Sequence, residues 1–325
     1  MHILGIDIAK ASFSVALLAG PQEQHGQFEN NGAGFARLQR WLQKRKAGQL
    51  HACMEATGAY WEELALFLHE QGHQVSVVNP KLIKRHAESI MQRNKTDRQD
   101  ARTIADYCAK HAPDLWSPPP VANRRLRTMV GHLQTLKEDR TREGNRLKAG
   151  ISEPAVVRLI EAHLAFLDEQ IGTLEQAIRD HIDQDPDLKA DKELLLSIPG
   201  IGDQTAALFL AEVPDISRFE LAGQLAAYAG LTPGQQQSGS SLQRPGRLVK
   251  WGNAHLRAGL YLLALAAQRF NPSIAPLRQR LLARGKSKMT VTVAAMRKLL
   301  ALAYGVLKTR KPYDPYHTVN VQLST

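Results

Sequence analysis

The chain has 325 residues, with 42 Lys and Arg against 31 Asp and Glu and a formal net charge of +11. At roughly 100 to 200 residues per domain that is two domains, or three with a helical connector, and a 43% hydrophobic content excludes a mainly disordered chain. The charge is lopsided: residues 241–325 hold fifteen Lys and Arg and a single acid, Asp314, a balance of +14, whereas the first 240 balance at −3. The basic segment is the expected polyanion-binding face.

In chain order, His2 to Ile8, Ser12 to Leu18 and Gln24 to Phe28 read as three strands, the first two joined by a tight polar turn. A helix from Ala33 to Lys44 leads to a strand at His51 to Met54. A second helix, Trp61 to Gln71, leads to a strand at Gln74 to Val78 closed by Asn79-Pro80. A helix from Asp97 to Lys110 ends before Pro113, and Ser117-Pro118-Pro119-Pro120 marks the domain edge. A meander followed by alternating helices and strands is the order of an α/β ribonuclease H-like (RuvC-like) domain, expected over residues 1–120.

Residues 121–186 are expected to form a helical, coiled-coil connector. Ile160, Leu164, Leu167, Ile171, Leu174 and Ile178 repeat at 4, 3, 4, 3, 4, extended by Val157 and Ile182, with Arg124 to Leu147 as a weaker helical partner. Spacing alone leaves open a spacer, a dimerisation element, or two antiparallel helices packed within one chain. Residues 187–325 read as a mainly α domain, broken at Pro199-Gly200-Ile201-Gly202 and by a polar loop, Thr232 to Gly246; within it Gln235 to Ser241 has the composition of a flexible linker, though flanking helices put it inside a domain.

Several acids stand out. Asp7 lies in an otherwise apolar strand, where a carboxylate is costly unless paired, hydrogen-bonded or bound to a metal. Glu55 ends a strand that is the neighbour of the first in the ribonuclease H topology, so the two would face one another and a divalent cation would relieve their repulsion; a helix-capping charge is the other reading of Glu55. Asp97 and Asp100, three apart, share a helical face, either as a capping pair or as part of the same site. Together the four outline a Mg²⁺ (or Mn²⁺) site of the kind that activates a nucleophile and stabilises a leaving oxygen in phosphodiester chemistry.

Ile198 to Ala206 has the pattern of a helix-hairpin-helix, in which Gly200 and Gly202 admit a phosphate and the amides opening the next helix, around Thr205, donate to it; a plain helix turn is the alternative. Ser238, in the polar loop, is by itself either a solvated serine or a nucleophile. Arg244, Arg247, Lys250 and Arg257 nearby would clamp a phosphate. The two cysteines, Cys53 and Cys108, lack the spacing of a zinc site and are expected as buried thiols of a reducing compartment. No apolar stretch reaches the ~18 residues needed to cross a bilayer, and the N-terminus has no secretory pattern, so a cytoplasmic chain without a membrane partner is expected.

Taken together, Gly5-Ile6-Asp7, Glu55-Ala56-Thr57-Gly58, Asn94-Lys95-Thr96-Asp97 with Asp100-Ala101-Arg102, Ile198 to Gly202, and Ala229 to Pro233 leading to Ser238-Gly239, then Lys250, Gly252-Asn253 and Leu256-Arg257, resemble the Piv-type DEDD transposases of insertion sequences, the group that includes bridge-RNA-guided recombinases. The resemblance implies that Asp7, Glu55, Asp97 and Asp100 hold the metal and that Ser238 attacks DNA to form a covalent phosphoserine link. It further implies donor and target DNA as substrates and a noncoding bridge RNA that pairs with both. The implied assembly is a homo-oligomer, a dimer or a synaptic tetramer, with each active site shared between protomers and at work on the bacterial nucleoid. Gly234 and Gln235 depart from the basic residues often found after this proline. A RuvC-like endonuclease that hydrolyses junctions with water would use the same carboxylates. An actin-like sugar kinase would need a second glycine-rich phosphate loop, and none is found. A catalytically dead nucleic-acid-binding protein would leave four carboxylates facing an anionic ligand without a metal.

Overall fold

The structure is a computed structural model. It describes all residues except 21, 57, 92–95, 239–241, 249–251 and 316–325, and the backbone alone at 233, 235–238 and 242–247. The chain divides into two compact units, Met1–Pro118 and Pro119–Thr325.

The first unit is a five-stranded mixed sheet. β1 (His2–Ile8), β2 (Ser12–Ala19) and β3 (Gln22–Glu29) form an antiparallel meander, and β4 (Leu50–Glu55) and β5 (Gln74–Val78) add in parallel beside β1, giving the order β3-β2-β1-β4-β5. Side chains alternate across each strand. Leu4, Ile6 and Ile8 of β1, Val15 and Leu17 of β2 and Met54 of β4 point to one face. There they bury against Phe35, Leu38 and Leu42 of α1 (Gly32–Lys44) and Leu64 and Leu68 of α2 (Glu62–Glu70). The other face carries Ala16 and Cys53, covered by Ala101, Ile104, Ala105 and Cys108 of α4 (Asp97–His111) and by Ile83 of α3 (Pro80–Ser89).

α3 is the element that the periodicity did not predict. Asn79 and Pro80, read as the closure of a strand, are its N-cap and first residue: the Asn79 side chain accepts from the Lys81 amide at 3.0 Å, and proline at N1 lacks only an amide that the helix leaves unbonded. Its ten residues bury only Ile83 and His86, too few for an apolar stripe to show.

In the second unit α5 (Val121–Lys148) and α6 (Pro154–Gln184) form an antiparallel pair within one chain. The intrachain antiparallel packing that the spacing allowed is present: Ile160, Leu167, Ile178 and Ile182 are buried, and Lys137–Glu175 and Arg140–Asp168 ion pairs run alongside. Those pairs are half-exposed and contribute little; the apolar seam holds the helices together. At its base Leu126, Val130, Leu133, Ile178 and Ile182 merge into the core of α7 (Pro186–Leu196), α8 (Asp203–Glu212), α9 (Ala222–Tyr228), α10 (Ala254–Phe270) and α12 (Lys288–Thr309), with α11 (Ala275–Ala283) outside it. α12 is long and apolar enough to cross a membrane by length and composition, yet Ala295, Met296, Leu299, Leu300, Ala303 and Leu307 are packed into this core. The polar stretch expected as a linker-like loop is instead a two-stranded antiparallel hairpin, β6 (Pro233–Ser238) and β7 (Leu242–Leu248), with an irregularity at Gly234/Gln236. Composition misleads here because backbone pairing needs no apolar side chains.

Candidate active site

The acid positions follow from strand register. β1 and β4 run parallel with Ile6 opposite Met54, so Asp7 and Glu55 are the next residues along on neighbouring strands, both half-buried. On the other side Asp7 pairs with Ser14 of β2, itself buried. Alternation places Gly5 and Asp7, and Cys53 and Glu55, on the face that α4 covers. α4 lies directly on β1 because position 5 has no side chain: a Cβ there would stand 2.2 Å from the Ala101 carbonyl oxygen and 2.3 Å from the Ala105 nitrogen.

α4 opens where the sheet presents Asp7. The Thr96 side chain caps it by accepting from the Gln99 amide at 3.2 Å, and Asp97 and Asp100 occupy its first turn, where the helix dipole favours negative charge. An open groove of ≈ 460 Å³ is lined by Thr96, Asp97 and Arg98 together with Ser14, the cross-strand partner of Asp7, and with His25 and Gln27 of β3. Asp97 is exposed and Asp100 half-buried. All four acids therefore lie at one end of one sheet face. Their donor chemistry, carboxylate oxygens only, suits a hard divalent cation. Among the described residues, however, no three His, Cys, Asp or Glu side chains converge into a metal-holding cluster.

Beneath this edge lies a polar network that sequence reasoning did not find. The Cys53 and Cys108 thiols are both free and buried, as expected, but they also meet across the β4–α4 contact, in one buried cluster with Ile83 and Ile104. The Cys108 neighbour and burial push the Cys53 thiol up, while Cys53 and His51 beside it draw Cys108 down. His51 Nε2 also bonds Ser76 Oγ at 2.7 Å, and Ser76 in turn donates to the Pro113 and Asp114 carbonyls. On the outer side of α4, Asp106 accepts from Lys110 and bonds the buried His86 of α3, each at 2.8 Å. Burial alone would raise the Asp106 carboxyl, but these two partners outweigh it and hold it below the usual range. No periodic signal marks contacts between residues twenty or more apart.

In the second unit Ser238 is the last residue of β6, paired through the backbone with Leu242 across the tip. Its side chain lies outside the described residues, as do those of Arg244 and Arg247 on β7 and the whole of Lys250. Arg257 is described: its Nη1 donates to the Ala229 carbonyl at 3.1 Å, at the root of the hairpin. Pro199 to Gly202 joins α7 to α8. Gly200 takes φ +103°, which favours glycine, and packs against Ala267, while Gly202 opens α8 without a side-chain cap and Thr205 sits half-buried in its first turn. Asn271, fully buried, donates from Nδ2 to the Pro199 carbonyl at 2.8 Å and holds this turn against α10.

Two family models match in order: a DEDD transposase model over residues 4–153, and one described as Transposase IS116/IS110/IS902 family over residues 192–279. A pilin gene-inverting protein of Moraxella bovis is 35% identical over 315 residues, covering 96% of this chain and 97% of its own length. The transposase for insertion sequence element IS1328 of Yersinia enterocolitica is 25% identical over 284 residues, covering 78% and 80%. The transposase for IS1111A of Coxiella burnetii is 27% identical over 286 residues, covering 79% and 75%. With a relative this similar over nearly its whole length, the chain belongs to the IS110/IS116 family of transposases and recombinases, enzymes that cut and rejoin DNA.

Proposed function

We propose that this chain breaks and rejoins DNA by serine chemistry supported by the acid edge. The observation that carries the reading is the register that sets Asp7 beside Glu55, with the first-turn acids of α4 brought to the same end of the sheet by the contact at Gly5. Asp7, Glu55, Asp97 and Asp100 would hold Mg²⁺ or Mn²⁺; when bound, the ions lower the barrier by stabilising charge on the attacking and leaving oxygens. Ser238 Oγ displaces one deoxyribose oxygen at phosphorus; the serine gives up its proton, and the leaving deoxyribose oxygen takes one up to become a free hydroxyl. A second hydroxyl then displaces the serine, so one phosphodiester is exchanged for another and none is hydrolysed. The name of the Moraxella relative, a gene-inverting protein, describes rearrangement without loss of DNA, which suits this exchange.

In the second unit the turn at Gly200 and Gly202 acts as a helix-hairpin-helix, with the uncapped amides of α8 near Thr205 donating to DNA phosphate. Arg244, Arg247, Lys250 and Arg257 bind the backbone near the serine. A bridge RNA supplies sequence recognition, and the protein works in the cytoplasm as a dimer or tetramer whose sites are shared between protomers. The outward side of α6 supports self-association: Leu159 and Phe166, seven residues apart and so on one helical face, are 72% and 55% exposed.

Trapping on denaturing gels tests the core of the proposal. Wild-type protein with Mg²⁺ and cognate DNA should yield a protein–DNA adduct that survives denaturation, and Ser238→Ala should yield none. Normal cleavage by Ser238→Ala would instead establish the water-using endonuclease. RNA recovered with the purified protein, or its absence, decides the guide.

A further inference from the structure

The hairpin that carries Ser238 leaves the helical unit and returns to it at one place, and that place is built round a buried acid with no part in the chemistry above. Glu212, the last residue of α8, is 8% exposed. Its Oε2 accepts from Asn253 Nδ2 at 2.5 Å, and its backbone carbonyl accepts from the Tyr228 hydroxyl at 2.9 Å. Asn253 completes the arrangement. Its Oδ1 caps α10 by accepting from the Leu256 amide at 2.9 Å, and its own amide donates to the Tyr228 carbonyl at 2.7 Å. Beside it Gly252 leaves no room for a side chain: a Cβ would stand 2.4 Å from the Tyr228 oxygen and 2.5 Å from the Gly230 nitrogen. Tyr228 to Gly230 precede β6, which begins at Pro233, and Gly252 and Asn253 follow β7, which ends at Leu248. Both roots are thus fastened to each other and to α8.

A carboxylate does here what a neutral amide cannot. It only accepts, so it forces the Asn253 NH₂ toward α8 and leaves Oδ1 for the cap of α10. Glutamine in its place would allow both amides to rotate and would free the hairpin roots to shift. A buried charge is costly for simple filling of space, and its presence at a root shared by three helices is consistent with a directional task. α8 is also the helix whose first turn is read as a DNA phosphate site, so the same acid links the element that holds DNA to the element that attacks it.

We propose that Glu212 is a positioning residue for Ser238, acting through the orientation of Asn253. This rests on the reading of Ser238 as nucleophile, and the test separates the two. In the full-length protein, Glu212→Gln and Asn253→Asp are compared with the double variant, which restores an amide–carboxylate bond of reversed polarity; aspartate still caps α10. Expected for each single variant is a wild-type circular dichroism spectrum with amide hydrogen exchange in residues 233–238 and 242–248 faster by about tenfold or more. The rate of adduct formation on saturating DNA should fall about tenfold or more, the half-saturating DNA concentration staying within about twofold, and the double variant should recover most of the rate. Unchanged exchange in Glu212→Gln, unchanged adduct rate despite faster exchange, or a double variant no better than the singles would overturn the proposal. Adduct that persists in Ser238→Ala removes the serine reading alone, and the exchange experiment then decides whether Glu212 anchors the hairpin.

Discussion

The two units place their proposed reactive groups by different means. In the first, Asp7 and Glu55 sit in interior strands of a five-stranded sheet, where neighbours on both sides and α4 above determine each position several times over. In the second, Ser238 ends a two-stranded hairpin, and a pair of strands alone is marginal in water. Its location depends on roots held by Tyr228, Gly252 and Asn253. The acids at the sheet edge are set by strand register, whereas the hairpin that ends at Ser238 is fastened to the helices by a few hydrogen bonds at its foot. On the proposed function, the acids that would hold a metal need fixed geometry, and a serine that would reach DNA and later release it gains from being anchored at a distance.

Four substitutions test this contrast. The largest effect should come from Asp7→Asn. In a strand so well determined the amide is accommodated, so the melting temperature stays close to wild type, while Mg²⁺-dependent DNA cleavage falls more than about 100-fold. A large loss of stability would mean that Asp7 is structural instead. Next is Gly5→Val, which drives a side chain into the Ala101 and Ala105 backbone; denaturant unfolding should show a loss of about 3 kcal/mol, because α4 must lift from the sheet. In the second unit Asn271→Ala leaves the Pro199 carbonyl without its buried partner and should cost about 1–3 kcal/mol while weakening DNA binding through the 199–202 turn; binding at wild-type strength would argue against a phosphate site there.

The smallest concerns Asp106. Its carboxyl titrates lower when folded than when unfolded, so its partners Lys110 and His86 add stability above the unfolded value near 3.9, and that stability fades as pH falls through the depressed folded value. Asp106→Asn should therefore be less stable than wild type by about 0.5–1 kcal/mol at pH 7, in keeping with a partly solvated pair, and the gap should close in strong acid. A difference that persists unchanged at pH 2 would assign the effect to packing.

Much of the first unit was legible because period-two alternation in the strands and the turn residues between them leave few topologies, and the Asp7–Glu55 adjacency follows from strand order alone. The helix α3 escaped because a ten-residue helix with two buried side chains has no stripe to detect, although its Asn-Pro start was a readable sign. In the second unit the heptad of α6 named its buried residues but not their partner, since an apolar seam is equally satisfied by another segment or another chain. The polar stretch around Ser238 misled in the opposite direction: glutamine, glycine and serine describe solvation, and say nothing of whether backbone amides pair.

What the sequence determined by itself was local and periodic: the strands, the long helices, the acids that stand out against apolar runs, and the ordered motifs shared with a transposase family. Only the tertiary structure decided that α5 and α6 close on one another, that Cys53 meets Cys108, and that Glu212 reaches Asn253 forty-one residues away. The reason is physical. Periodicity reports which side of an element leaves water, a property of neighbours in sequence, whereas a hydrogen bond between distant side chains exists only after packing has removed every other partner that either group could find.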